Sequence, residues 1–241
     1  MKRLLVLAIL LPCLATAQTE IQKEIAVQAD ESLKLRFDYP KVRITTWNEP
    51  KILVTGSVSI NGGENDDAFE LRFRKDGSVI TLEDEIHNLK SLPHRIKVVT
   101  AGKSMQFKSQ KEFAAFAALN GKIFDSKSEG VDIDIALEIK VPASMSIDAD
   151  MKYGLLEAIP GLAPFSASST YGGVDLSVDS NNWGDLVAET NYGTIYSNLA
   201  IDPGTATIQE EDFHMRMVAH RPSGSRYKAV SKYGNVYLRK K

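Results

Sequence analysis

Four stretches decide the fold: Ala149-Asp150-Met151-Lys152-Tyr153-Gly154-Leu155-Leu156, Ala167-Ser168-Ser169-Thr170-Tyr171-Gly172-Gly173-Val174, Ala188-Glu189-Thr190-Asn191-Tyr192-Gly193-Thr194-Ile195 and Ala229-Val230-Ser231-Lys232-Tyr233-Gly234-Asn235-Val236. They share the pattern Ala-x-[Met/Ser/Thr]-x-Tyr-Gly-x-[Leu/Val/Ile], at spacings of 18, 21 and 41 residues. Self-similarity near this period marks a repeat architecture, in which each unit buries its apolar face against the next. The expected fold is therefore all-β, a single-domain β-solenoid with coils of about 20 residues.

Parity within each copy gives the geometry. Counting back from the Tyr by two, four and six residues reaches Met151, Ala149 and Ile147 in the first copy, and Ser169, Ala167 and Phe165 in the second. These positions share one face of a strand, and the residues between them are mostly polar. Extending the same count places Tyr39, Tyr153, Tyr171, Tyr192 and Tyr233 on the core face, as a structural stack at a corner. After the Gly the parity shifts by one, to Leu156, Val174, Ile195 and Val236. A positive φ or a bulge at the Gly accounts for such a shift.

The 41-residue gap holds a degenerate copy. Ala206 to Phe213 fits the register with Glu210-Glu211 in place of Tyr-Gly, and Phe213, Met215, Met217 and Ala219 continue as core, giving five C-terminal coils. Near the N-terminus Leu33, Leu35, Phe37 and Tyr39 alternate into Pro40, so Tyr39-Pro40 substitutes for Tyr-Gly. Further strands are expected at 51–60, 69–74, 78–83 and 131–139, with turns at Asn61-Gly62-Gly63 and Asp76-Gly77.

Residues 87–130 break the pattern. They hold eight Lys/Arg and three Asp/Glu, a local charge of +5. Ser109-Gln110-Lys111-Glu112 reads as a capping box, and Phe113, Phe116 and Ala117 line one face of a short helix that Asn120-Gly121 stops. The segment is either a partner-binding arm or a lid over an open edge or end of the solenoid.

The first 17 residues read as a secretory signal: Lys2 and Arg3, an apolar run from Leu4 to Leu14, and the small-x-small site Ala15-Thr16-Ala17. Cys13, the only cysteine, leaves with it unless it is lipidated, and the 18–241 domain then has no thiol. Without the signal the charge is 27 basic minus 31 acidic residues, −4, which fits neither nucleic-acid binding nor a polybasic membrane profile. The expected location is the periplasm or the cell surface and extracellular space.

With Lys140-Val141-Pro142-Ala143, the strand from Ser146 to Ala149, the Tyr-Gly strands, and Val42 to Pro50 followed by Ile52-Leu53-Val54, the chain resembles the bacterial putative-adhesin families of unknown function. That resemblance covers most of residues 18–241 except 87–130. It implies an exported β-repeat protein with a surface-interaction role.

No catalytic, metal or cofactor motif emerges. Asp132 and Asp134, Asp148 and Asp150, and Glu210-Glu211-Asp212 are the carboxylate groups that a polysaccharide lyase or hydrolase on this scaffold would need to gather in one cleft. His87, His94, His214 and His220 lack metal-ligand spacing. Trp47 and Trp183 are either exposed glycan contacts or loop anchors.

The outward Tyr196 and Tyr237, the break at Glu210 and Glu211, and the neighbouring His214 and Arg216 are the interaction candidates. A protein or glycan of the cell envelope is the expected partner, with an envelope-stress signalling accessory as another role. No cofactor is expected. The sequence also leaves the coil at Tyr233 with little to cover it, so the inserted helix or self-association through a solenoid end should do so.

Overall fold

The computed structural model describes residues 18–121 and 123–241. The expected signal and Cys13 lie outside the described residues. Along the chain come β1 (Thr19–Ala26), β2 (Ser32–Phe37), β3 (Lys41–Trp47) and β4 (Lys51–Ile60), then β5 (Phe69–Asp76) and β6 (Val79–Ile86). The basic segment contributes β7 (Arg95–Thr100), β8 (Lys103–Phe107), helix α1 (Gln110–Asn120) and β9 (Ser126–Gly130). There follow β10 (Ile133–Pro142), β11 (Ile147–Met151), β12 (Leu156–Ala158), β13 (Phe165–Ser169), β14 (Val174–Val178), β15 (Trp183–Thr190) and β16 (Ile195–Ser197). The remainder is β17 (Ala206–Glu211), β18 (His214–His220), β19 (Ser225–Ser231) and β20 (Val236–Lys240). The chain is all-β with one α-helix among the described residues.

Two large sheets enclose the main core. One has the order β1-β4-β10-β3-β12-β14-β20-β16, the other β17-β18-β15-β19-β13-β11-β2-β6-β5. Five strand–corner–strand units span both: β2–β3, β11–β12, β13–β14, β19–β20 and β15–β16. In each, the first strand joins the nine-stranded sheet and the second joins the eight-stranded one. Neighbouring units pair in parallel, so equivalent repeat positions align: Ile147, Phe165, Tyr227 and Leu186 form one row, and Ala149, Ala167, Ala229 and Ala188 another. All eight are buried, as are Val42, Leu156, Val174 and Val236 on the facing sheet. This is the alternation read from the repeats, with each inward position meeting its counterpart one strand away.

The sheets are nevertheless mixed. Antiparallel strands flank the parallel centre: β5 on β6, β4 on β10, β1 on β4, and the pair β17–β18 on β15. On the nine-stranded sheet they end the parallel ladder in the hairpins β5–β6 and β17–β18, and on the eight-stranded sheet β4 and β1 extend it beyond β10 at one edge. Ala206–Glu211 is therefore not the fourth of five coils; it is the outer strand of a hairpin, and Ile208 and Phe213 are exposed where the alternation placed core. Only Met217 and Ala219 are fully buried, with Met215 partly so.

Stacking also departs from chain order. The unit 225–240 lies between 165–178 and 183–197, pairing on its two sides with β13 and β15 and with β14 and β16. The expectation of an uncovered terminal coil fails for this reason. Helix α1 is no cover for it either. Phe113 and Ala117 pack on Ile96 and Val98 of the separate sheet β8-β7-β9, forming a second small core. Ser109 caps the helix by accepting from the Glu112 N–H at 3.2 Å, and Gly121 ends it at φ 85°.

Candidate functional site

The corner after each first strand is built from three residues of the repeat. The strands end at Met151, Ser169, Thr190 and Ser231, two residues before each Tyr. Alternation ends with them, so parity extended to the Tyr assigns the wrong face. Tyr153, Tyr171, Tyr192 and Tyr233 are 44–59% exposed. The expected inward stack is an outward one.

Backbone bonds nonetheless continue from unit to unit through the corner. Tyr153 N–H donates to Asp38 C=O (2.9 Å), Tyr171 to Lys152 (2.7 Å), Tyr233 to Thr170 (2.9 Å) and Tyr192 to Lys232 (3.0 Å). Beneath them, buried hydroxyls satisfy the turn. Ser231 accepts from the Gly234 N–H (2.8 Å) and donates to Gly172 C=O (2.8 Å), while Thr190 donates to Gly234 C=O (2.7 Å). A buried polar group with partners on both sides links one unit to the next.

The glycine is required by close approach. None of Gly154, Gly172, Gly193 and Gly234 has positive φ. A Cβ at these positions would lie 1.8 Å from Pro40 O, 1.9 Å from Gly154 O, 2.1 Å from Gly234 O and 2.3 Å from Gly172 O, respectively. The positive-φ explanation gives way to steric exclusion between units.

The result is one aromatic ladder. Tyr39, Tyr153, Tyr171, Tyr233, Tyr192 and Phe213 follow one another with ring centroids 5.5, 5.2, 5.2, 5.1 and 5.6 Å apart. The four tyrosine pairs are stacked within 23°. Lys152 and Lys232 place their ammonium groups 5.3 and 5.2 Å from the Tyr153 and Tyr233 centroids. The Asp38 carboxylate, 3.4 Å away, holds the Lys152 ammonium above the usual lysine range.

Asp84 ends the ladder at Tyr39. Its two oxygens accept from Asp38 N–H (2.7 Å) and Tyr39 N–H (3.3 Å), standing where another unit's carbonyls would be. Burial pushes the Asp84 carboxyl above its ordinary value, against the pull of those bonds. Phe213 ends the other side from a hairpin loop at φ 62°. That conformation costs a non-glycine residue about 1–2 kcal/mol, offset in part by stacking of about 0.5–1.5 kcal/mol.

The remaining candidates fall into two groups. Tyr196 and Tyr237 stack at 5.2 Å on the other large sheet, with Arg239 beside Tyr237 and Asn235 donating to its hydroxyl (3.2 Å). Arg239 makes two bonds to Asp175, at 2.9 and 2.7 Å, and that carboxylate raises its pKa. His214 and Arg216 meet at Glu189, at 3.2 and 3.9 Å. Glu210 and Glu211 are exposed on β17, the adjoining edge strand of the nine-stranded sheet, whereas Tyr196 and Tyr237 lie on the eight-stranded one.

The other acidic candidates are engaged singly. Asp134 pairs with Lys41 (3.0 Å) and Asp148 with Arg36 (3.0 Å), while Asp150 accepts from Ser168 (2.8 Å). Glu70, Glu85 and His87 lie together around Arg72. Trp183 is a core residue, 1% exposed, with the Arg221 guanidinium 3.9 Å from its ring centroid. Trp47 is anchored by its indole N–H on Lys51 C=O (2.8 Å). Sequence reasoning missed Phe213 as a rung and Asp84 as the ladder's end. Neither carries the repeat motif, and only the tertiary register brings them there.

No protein-family model matches the chain, and no curated protein matches it. Among solved structures, a putative cell adhesion protein from Clostridium sporogenes superposes with a TM-score of 0.51 at 15% identity, covering 93% of this chain and 100% of its own. That likeness is one of fold. A putative adhesin from Bacteroides fragilis gives a TM-score of 0.21 at 10% identity over 94% of this chain and 99% of its own, too low to bear on the architecture.

Proposed function

We propose that the chain is a non-enzymatic, exported cell-envelope protein of adhesin-like function, binding an extended surface glycan along its aromatic ladder. The observation that carries this reading is the ladder itself, six rings in continuous succession on a rigid two-sheet scaffold. Stacking occupies the ring faces, so a ligand meets ring edges and hydroxyls, repeated about once per strand spacing of 4.7–4.9 Å. A glycan chain advancing by about one such spacing per sugar meets an equivalent rung at each sugar. Each contact is weak, and their sum is useful because the rungs are linked.

Two further observations support the reading. The run from Lys2 to Ala17 has the form of an export signal, and the fold is shared with a protein named for cell adhesion. The parallel centre of the two sheets reads as a solenoid stacked out of chain order.

Affinity electrophoresis through gels containing soluble β-1,4-linked glycans tests the proposal. Tyr171→Phe with Tyr233→Phe keeps the stacks and removes two hydroxyls, so retardation should weaken about 2- to 10-fold per lost bond. Equal retardation of wild type and the double variant across the glycans refutes the ladder as the site.

A further inference from the structure

We propose that the tip of the 87–130 excursion docks on an anionic lipid surface. The excursion has a near end and a far end, fixed by register. At the near end Glu64, on the main body, bonds Arg95 (2.7 Å) and Lys108 (2.5 Å), and Asn61 donates to Pro93 C=O (2.9 Å). From there β7 runs outward to Thr100, turns at Ala101-Gly102 and returns from Lys103. Helix α1 also runs outward, from its cap at Ser109 to Asn120, and β9 starts back from Ser126 opposite Val99. The far end therefore gathers the 101–103 turn, the C-terminus of α1 and residues 123–125 before β9.

Two large aliphatic side chains stand at this end with almost nothing over them. Leu119 is 87% exposed and Ile123 is 94% exposed, the two most exposed large hydrophobics of the described residues. Packing of the small core does not use them, since Phe113 and Ala117 supply the helix's buried face. Single exposed aliphatics are ordinary; two at one projecting tip, in a segment of distinct charge, call for an occupant.

Charge identifies it. The excursion carries +5, whereas the rest of residues 18–241, with 19 basic and 28 acidic residues, carries −9. Lys103 belongs to the far end, at the 101–103 turn, while Lys127, opposite Val98, stands farther back with its ammonium 4.3 Å from the Phe113 centroid. An anionic headgroup layer attracts the basic arm and repels the acidic body, so approach is tip first. Aliphatic tips then enter the interface while the lysines remain at headgroup level. The arrangement predicts weak, reversible, salt-sensitive attachment, because two side chains bury little area.

The test uses the chain from residue 18 in co-sedimentation with phosphatidylethanolamine vesicles containing phosphatidylglycerol, against phosphatidylcholine alone. Binding to the anionic vesicles is expected, falling at least about tenfold in Leu119→Ser with Ile123→Ser and several-fold in Lys103→Glu. As a second reading, Leu119→Trp should shift its emission to the blue on the anionic vesicles. Absence of wild-type binding, equal binding to both vesicle types, or insensitivity to the tip substitutions overturns the proposal. So does tip-dependent self-association in sedimentation without vesicle binding, which makes the tip a protein contact.

Discussion

Replacing Gly172 by alanine tests why the repeat contains glycine. The added Cβ falls 1.9 Å from Gly154 O and 2.8 Å from its carbonyl carbon, where ordinary contact begins at 3.4 Å. Both are main-chain atoms of the neighbouring unit, which no side-chain rotation moves aside. The units must therefore part locally by about 1.5 Å, at an overpacking cost of about 1–3 kcal/mol. That displacement carries the Tyr171 N–H to Lys152 C=O bond, now 2.7 Å, and the neighbouring Thr170 N–H to Met151 C=O bond, now 3.0 Å, out of range. Two backbone bonds add about 0.5–1.5 kcal/mol each.

The expected loss in urea unfolding is thus about 2–6 kcal/mol, a large part of a typical domain's stability. Two controls separate close approach from generic glycine effects. Gly173→Ala meets Asn235 O at 3.1 Å and Leu155 Cδ1 at 3.3 Å, and should lose less. Gly130→Ala meets nothing within 4 Å and is not at positive φ, so it should be neutral or stabilise by up to about 1 kcal/mol. A Gly172→Ala protein within about 0.5 kcal/mol of wild type, or no worse than Gly173→Ala, refutes the steric account.

Three further outcomes follow from the corner and the core. Burial raises the folded Asp84 pKa above its ordinary 3.8, so this group's favourable contribution is fully present below the unfolded value and is lost as pH rises through the folded one. Relative to Asp84→Asn, wild-type stability by urea titration should therefore decline as pH rises from below 3.8; an unchanging or rising difference is the contrary result. Phe213→Gly relieves the φ 62° backbone but removes a rung, so stability should change by no more than about 1 kcal/mol while the near-ultraviolet circular dichroism of the tyrosine ladder changes. Trp183 is buried and Trp47 is partly exposed, so acrylamide should quench Trp183→Phe protein, which reports Trp47, more strongly than Trp47→Phe protein.

Strand interiors were the most legible part of the fold. Ile147, Ala149 and Met151 alternate inward as read, and Lys51–Ile60 forms over the expected residues, because burial of one sheet face imposes a period of two on the sequence. Corners were legible as positions but not as orientations. The period stops at Met151, Ser169, Thr190 and Ser231, and no local signal in the next two residues says so. Unit order was not legible, since Ala229 fits beside Ala167 as well as Ala188 does; similar repeats carry little information about which neighbour each will take. Of the candidates, Tyr196 and Tyr237 have the outward orientation that parity gave them because they lie within strands, Tyr196 exposed and Tyr237 half-buried. Glu210-Glu211 misled because a hairpin's edge strand alternates like a coil.

The placement of residues 225–240 between two earlier units governs when this protein can finish folding. Unit 183–197 takes its parallel partners from β19 and β20, not from the unit that precedes it in the chain. Until those last strands arrive, 165–178 and 183–197 each present an unpaired parallel edge, and loop closure across roughly 60 residues must precede their rewards. Residues 225–240 close both edges together. A chain lacking residues 225–240 loses the shared wedge, not merely one layer, and a nascent chain stays open until those residues are free.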